Sequence, residues 1–335
     1  MKGSGCNKKN NKAVAILLST YNGSGYIEKQ LESIANQTYE NITLFIRDDG
    51  SNDGTAVLTE QFIRKNDLEN KMVVLKDYEG NLGFGRSFYK LANTATGFAY
   101  YFFCDQDDYW FPDKVERAVR FLDQEPDQEL VCYMSNYYVG NERLGIEKKA
   151  YGHKLAIETE TLGGQAFETT LVVGMVAAIN ETLRKVCFEL PVGNGVPASH
   201  DKWIAMVLTG LNGKLIYDAV PTATQRRHQS TTSSCNQMLV FKEIWRINHV
   251  LKGDYLWQMR QMIMLYKKCY FNQICTKKEK TFLRVFTRKD IVGYFEKIFY
   301  PHRLRKKIMD EVLLRILFMI GKYDIKSVKS GSRNV

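Results

Sequence analysis

Residues 100–114 read Y-Y-F-F-C-D-Q-D-D-Y-W-F-P-D-K and pass from wholly apolar to strongly acidic within one position. An apolar run of this length without a charge predicts a strand buried on both faces, as inside a parallel sheet. Asp105, Asp107 and Asp108 then stand at its end. Three acids in four residues repel one another, and keeping them ionised calls for a cation. Oxygen ligands suit Mg²⁺ or Mn²⁺, and Mg²⁺ is usually held by one or two carboxylates together with phosphate oxygens. The cluster therefore points to a phosphate-bearing ligand. The competing reading is a solvated acidic turn that caps the helix after Pro112. The strand before it and Tyr109-Trp110 after it favour a partly buried site.

The flanking sequence repeats the same alternation. Ala13 to Ser19 is a buried-strand run, and Tyr26 to Ala35 carries Ile27, Leu31 and Ile34 at helical spacing. Thr43 to Ile46 predicts a second strand, Thr55 to Lys65 a helix, Met72 to Leu75 a third strand and Gly83 to Ala95 another helix. Pro112 is expected to open a helix through Leu122, where its missing N–H costs little. Such alternation is the mark of an α/β fold with a mostly parallel sheet covered on both faces. Ligands of such sheets sit at the carboxyl ends of the strands. Thr20-Tyr21, Asp48-Asp49 and Asp105 to Asp108 all fall there. Further on, Leu130 to Val139 and Ile216 to Val220 predict strands, 140–164 a loop, and His200 to Leu208 a helix. After Gln237 the signals are helical only.

Charge divides the chain at about the same place. Residues 1–236 hold 25 Lys/Arg and 29 Asp/Glu, whereas residues 237–335 hold 22 Lys/Arg and 8 Asp/Glu. We expect a polar leader over 1–12, a nucleotide-binding domain over 13–236 and a basic helical region over 237–335. The leader lacks the apolar core of a signal peptide. Seven scattered cysteines without a C-x-x-C pair argue against a zinc cage or a secreted disulfide framework, so a reducing cytoplasm is expected. Val312 to Ile320 is about half the roughly 20 residues that span a bilayer.

Two shorter motifs add chemistry. In R-D-D-G-S-N-D-G-T, residues 47–55, the side chains of Ser51, Asn52 and Asp53 are sufficient as helix caps. Capping leaves the Asp48-Asp49 pair unexplained, and a carboxylate there could accept from a nucleobase N–H or a ribose hydroxyl. In S-T-Y-N-G, residues 19–23, Thr20 and Tyr21 stand where a base could bond and stack, although an ordinary strand-to-helix turn would read the same. G-F-G at 83–85 has no strand running into it and is discounted as a dinucleotide fingerprint.

In order and spacing, S-T-Y-N-G, R-D-D-G-S-N-D-G-T, N-L-G-F-G-R-S and C-D-Q-D-D-Y-W-F-P-D-K resemble the family 2 glycosyltransferases, inverting enzymes of the GT-A fold. The resemblance is close over 13–123 and weaker to about 235. D-Q-D-D-x-W is similar to the rhamnosyltransferase-like members of bacterial polysaccharide pathways. It implies that Thr20, Tyr21 and Asp48 or Asp49 bind the pyrimidine and that Asp105 contacts the ribose. Asp107, joined by Asp108, would hold Mg²⁺ or Mn²⁺. S-H-D-K-W at 199–203 resembles the family's H-D-x-W segment, which makes Asp201 the general base. Q-R-R-H-Q-S at 225–230 resembles the segment that closes over the diphosphate, with Arg226 and His228 as donor contacts and Gln225 in place of the usual aromatic. The partners so implied are a UDP- or dTDP-sugar, a saccharide or lipid-linked acceptor and, through 237–335, the inner face of the plasma membrane. No nucleic-acid module is present. A catalytically silent sugar-nucleotide-binding or scaffold protein and a nucleotidyltransferase are the alternatives. The latter expects a basic glycine-rich loop, and residues 13–26 have no Lys or Arg.

Overall fold

A computed structural model of the chain describes residues 11–77, 79–150, 172–189, 199–211, 213–228, 263, 267, 277–288, 290–301, 304 and 308–321. They group into two compact units. The first contains the described residues up to 150, 173–189 and 214–227; the second contains 172, 199–213, residue 228 and all that follows.

The first unit runs β1 (Val14–Thr20), α1 (Ile27–Ala35), β2 (Ile42–Asp48), α2 (Thr55–Lys65), β3 (Met72–Val74), α3 (Phe84–Thr94) and β4 (Tyr100–Asp105). It continues through β5 (Tyr109–Trp110), α4 (Lys114–Leu122), β6 (Val131–Gly140), β7 (Ile146–Lys149), β8 (Ala177–Asn180), the short α5 (Glu181–Arg184) and β9 (Lys214–Arg226). One sheet takes all these strands in the order β3-β2-β1-β4-β8-β6-β9-β5, with β7 on β6. Val14 to Leu18 are wholly buried. Each such aliphatic side chain contributes about 2 kcal/mol of hydrophobic stabilisation. The apolar spacing of α1 and α4 also serves the core, with Ile27, Leu31, Ile34, Val115, Ala118, Val119 and Leu122 buried.

The sheet is mixed rather than mostly parallel. β3, β2, β1 and β4 are mutually parallel because each pair of successive strands is separated by a crossover helix. Beyond β4 the additions β8, β7 and β5 pair antiparallel, while β6 and β9 pair parallel. Two smaller differences concern local chemistry. The helix expected from Pro112 begins at Lys114, because Phe111 N–H bonds Thr222 O and Pro112 O accepts from Thr38 N–H, which keeps the proline in a turn. β9 extends to Arg226, beyond the strand expected over 216–220, so the Q-R-R segment starts in a strand. Within the expected loop at 140–164, Ile146–Lys149 forms β7, and residues 151–164 lie outside the described set.

The second unit includes α6 (His200–Gly210), α7 (Lys277–Thr287), α8 (Ile291–Ile298) and α9 (Ile308–Met319). Phe286 is the centre of an aromatic cluster, with ring centroids 4.5 Å from Phe282, 5.1 Å from Tyr300 and 5.6 Å from Phe318. Among the described residues no helix is long and apolar enough to cross a membrane.

Candidate active site

The parallel part of the sheet creates a crevice by its strand order. From β1 the chain steps outward through β2 to β3, then returns to place β4 on the other side of β1. Such a reversal opens a cleft at the carboxyl ends of the two strands. The ends are flush, with Thr20 opposite Asp48 and Ser19 opposite Asp105. Three of the sequence clusters therefore meet at one edge.

The loop leaving β1 is held by side chains at four successive amides. Tyr21 N–H donates to Gln106 Oε1 (2.8 Å), Asn22 N–H to Ser51 Oγ (2.9 Å), Gly23 N–H to Thr55 Oγ1 (2.8 Å) and Ser24 N–H to Asp53 Oδ2 (2.9 Å). Gln106 closes its clasp by donating Nε2–H to Tyr21 O at 2.8 Å. A Cβ at Gly23 would collide with Gln106 Oε1 and displace that amide. Asp48 accepts from Thr20 Oγ1 (2.8 Å), Ser51 Oγ (2.6 Å) and Ser51 N–H (2.8 Å). Burial works to raise the Asp53 carboxyl, but hydrogen bonds from Thr55 and Ser24 outweigh it and hold it well below the usual carboxylate range. Tyr21 keeps its ring half exposed above this braced backbone.

Asp48 and Asp49 have different surroundings. Asp49 is buried against Arg47 and accepts from Leu82 N–H (2.8 Å) and Gly83 N–H (2.9 Å). Arg47, also buried, reaches Asp77 through Nε (2.8 Å), Gly80 O (3.0 Å) and Ser87 Oγ (3.2 Å). Asp49 thus anchors the N-L-G-F-G loop, where Gly83 adopts the positive φ of 78° that glycine tolerates. Asp48 is the member of the pair tied to Thr20.

At the acidic loop, Asp105 and Asp107 are half-buried and Asp108 is buried. Burial, then the charges of Asp107 and Asp105, push Asp108 well above the usual range. Arg226 reaches this loop from the end of β9. Its N–H donates to Asp108 Oδ1 (3.2 Å), its Nε to Asp107 O (2.8 Å) and its Nη1 to Glu142 O (2.6 Å). The guanidinium stacks on the Tyr26 ring, 5.0 Å from its centroid. Its Nη2 is buried without a partner, so this guanidinium retains one inward-facing donor. Beneath lies Lys114, fully buried over the Trp110 ring at 4.6 Å and lowered to about 7 by burial. No group of three or more His, Cys, Asp or Glu converges as a metal cage among the described residues. The donor set is nevertheless all oxygen, with closely spaced carboxylates and an unpaired Arg donor beside them. That chemistry fits a divalent cation shared with a diphosphate rather than caged by protein alone.

The remaining candidates belong to the second unit. Asp201 lies in the first turn of α6, accepts from Ser199 Oγ and Lys202 N–H, and is raised by burial. His200 is buried and lowered to about 3 by that burial. His228 follows two residues after β9 and is half-buried. The sheet unit therefore brings together Thr20, Tyr21, Asp48, Asp49, Asp105, Asp107, Asp108 and Arg226, while Asp201 and His228 stand in the other unit. Gln106, Arg47 and Tyr26 were not singled out by the sequence, because their roles depend on groups far along the chain, Tyr21, Asp77 and Arg226 respectively.

Comparison with known proteins agrees with this architecture. The sequence pattern of Glycosyl transferase family 2 matches residues 15–179. The dTDP-rhamnosyl transferase RfbG of Shigella flexneri is 33% identical over 136 residues, 39% of this chain and 45% of that protein. The putative glycosyltransferase EpsH of Bacillus subtilis is 32% identical over 125 residues, 37% of this chain and 35% of that protein. The chain thus spans less than half the length of these curated relatives. In fold it is similar to S. aureus TarS 1-349 in complex with UDP-GlcNAc, with TM-score 0.51 and 13% identity over 92% of this chain and 91% of that one. The similarity bears on architecture and agrees with the expected GT-A type of α/β fold, a central sheet with flanking helices. Residues 15–179, which contain Thr20, Tyr21, Asp48, Asp49, Asp105, Asp107 and Asp108, thus carry the sequence pattern of a glycosyl transferase family 2 domain.

Proposed function

We propose that the protein is an inverting, metal-dependent glycosyltransferase that moves a sugar from a nucleoside diphosphate to a hydroxyl of a growing or lipid-linked saccharide. The observation that carries this reading is the crevice between β1 and β4, where a braced Thr20-Tyr21 loop faces the acidic loop that Arg226 holds. Thr20 and Asp48 bond the pyrimidine, and the Tyr21 ring stacks on it. Asp105 receives the ribose hydroxyls. Asp49 keeps the 77–83 loop closed behind Asp48 rather than touching the base. Asp107 would hold Mg²⁺ or Mn²⁺, with Asp108 in support. A divalent ion bound there would neutralise charge on the departing diphosphate.

The chain's own groups supply the remaining steps. The Nη2 donor of Arg226 and the imidazole of His228 bind the diphosphate oxygens. Asp201 takes the proton of the acceptor hydroxyl as that oxygen attacks the anomeric carbon and the diphosphate leaves. A single displacement inverts the carbon and requires no nucleophilic side chain. A dTDP- or UDP-sugar is the proposed donor, and rhamnose the first sugar to test, given the likeness to RfbG. A lipid-linked acceptor would place the enzyme at the inner face of the plasma membrane.

The test is a panel of UDP- and dTDP-sugars incubated with Mn²⁺ or Mg²⁺, with release of nucleoside diphosphate as the readout. Metal-dependent turnover of one donor is expected, and the product anomer by NMR should be the opposite of the donor's. No release from any donor, or release with retained configuration, contradicts the assignment.

A further inference from the structure

Three arginines of the sheet unit are buried, and their surroundings differ. Arg47 is 1% exposed, Arg184 0% and Arg226 6%. Arg47 is ion-paired to Asp49 and Asp77, and Arg184 to Glu181 and Glu189. Arg226 has no ion pair among the described residues. Its guanidinium donates to two carbonyl oxygens, Asp107 O and Glu142 O, and rests on the Tyr26 ring. A buried cation without a counter-charge is costly, and burial pulls the Arg226 guanidinium below its ordinary value. The negative face of an aromatic ring offsets part of that cost. The rest is left to whatever meets the unpartnered Nη2 donor. Tyr26 is itself placed by the loop that leaves β1. Gly23 O accepts from Tyr26 N–H (2.9 Å) and Ile27 N–H (3.0 Å), which closes the turn into α1. Gly23 N–H belongs to the row of braced amides that runs back to Tyr21. One short segment therefore carries Tyr21 at one end and Tyr26 at the other.

We propose that Tyr26 is a positioning residue for the donor diphosphate: its ring holds the Arg226 guanidinium in place with Nη2 turned inward, and so ties the grip on phosphate to the loop that receives the base. The inference rests on the proposed function, because it takes Arg226 as the diphosphate contact. Nε and Nη1 are already committed to the two carbonyls, and the ring closes the remaining side of the group. Without the ring, water would reach that side, and a donor held dry for phosphate would become a hydrated one. Glu142 adds a second link. Its carbonyl accepts from Arg226 Nη1 at 2.6 Å, and its carboxylate charge joins burial in keeping the Tyr26 hydroxyl protonated. The tip of the β6–β7 hairpin therefore meets ring and guanidinium together. The role requires a ring and not a hydroxyl, so Tyr26→Phe should be tolerated and Tyr26→Leu should not. A packing role alone would weaken every ligand of the crevice alike, whereas positioning weakens those that carry the diphosphate.

Calorimetric titration of the full chain with UDP and dTDP in Mn²⁺, alongside uridine and thymidine followed by ligand-observed NMR, tests it. Tyr26→Leu should lose about tenfold in affinity for the nucleoside diphosphate that wild type binds. Its affinity for the matching nucleoside should stay within about twofold of wild type, and Tyr26→Phe should stay within about twofold for both ligands. In an Arg226→Met background, Tyr26→Leu should cause no further loss, as expected of two residues that act through one contact. Tyr26→Met repeats the comparison if Tyr26→Leu misfolds. Four results overturn the inference: Tyr26→Leu that binds the diphosphate like wild type, equal losses for nucleoside and diphosphate, Tyr26→Phe as weak as Tyr26→Leu, or losses that add in the Arg226→Met background. In each of them wild type still binds a nucleoside diphosphate, and the proposed function stands. Wild type that binds neither UDP nor dTDP contradicts the proposed function itself and the inference with it.

Discussion

The strand ends of the sheet unit and the outer face of α8 and α9 handle polarity in opposite ways. At the strand ends charged and polar groups are satisfied by one another: buried Asp49 by Arg47 and two amides, Asp48 by Thr20 and Ser51, Tyr21's peptide by Gln106. On the helices large apolar side chains face outward while Lys297 and Glu311 are covered. The first pattern spends side-chain entropy in advance and leaves a rigid edge for a polar ligand, as preorganised sites require. The second leaves hydrophobic surface uncompensated until something apolar covers it.

The largest effect expected from breaking this contrast is chemical. Asp201→Asn should lower kcat by about 10²- to 10⁴-fold with donor KM nearly unchanged, measured by steady-state transfer. The pH profile sharpens the point. Burial raises the Asp201 carboxyl, so the base is ionised only above that raised value. The wild-type rate should rise with pH through it and be lost on acidification at a higher pH than an ordinary carboxylate would give, and the Asn variant should lack that limb.

Next comes the paired interior of the strand ends. Arg47→Met leaves Asp49 without its cation in a buried setting, while Asp77 keeps Lys90. Removing one member of a buried pair costs about 3–5 kcal/mol, which urea denaturation should register. The same experiment on Phe295→Glu, a charge placed on the outer face of α8, should change stability by no more than about 0.5 kcal/mol. A large loss there would mean that the face is already covered, and the two regions would no longer differ.

The smallest effect concerns the clasp. Gln106→Ala removes both hydrogen bonds to the Tyr21 peptide while leaving every carboxylate in place. Donor KM should rise about fivefold, the value of roughly one neutral hydrogen bond, with kcat and the melting temperature held. A change in kcat alone would make Gln106 part of the acidic loop rather than a brace for the base.

Much of the sheet unit was legible in the sequence because its strands are continuous apolar runs and its helices keep a clear apolar spacing. β1, β2, β4, α1 and α2 were readable within a residue or two at most ends. The antiparallel additions were not, since β5 and β7 are two and four residues long and take their conformation from β9 and β6. The carboxylates at the strand ends stood out as composition. What each one does was not readable, because Asp48 and Asp49 are adjacent in sequence and differ in partners that include distant groups, Thr20 for the first and the Leu82 and Gly83 amides for the second. Ser51 and Asp53 were read as caps. Asp53 does bond Thr55 at the start of α2, but its other oxygen, like Ser51 Oγ, holds the Thr20 loop. The basic tail was legible as charge, whereas the outward stripes of α8 and α9 emerged only once burial distinguished one apolar face from the other.

The central claim is a metal-assisted nucleoside-diphosphate site at the ends of β1, β2 and β4. Its most direct test is a thermal-shift titration of wild type and Asp107→Asn with UDP and dTDP, with and without Mn²⁺. One nucleotide at about a hundred times its Kd should stabilise wild type by about 2.7 kcal/mol when Mn²⁺ is present. Most of that gain should vanish in chelator and in Asp107→Asn, whose unliganded stability should match wild type. Equal stabilisation of Asp107→Asn and wild type, or no response of wild type to either nucleotide, would contradict it.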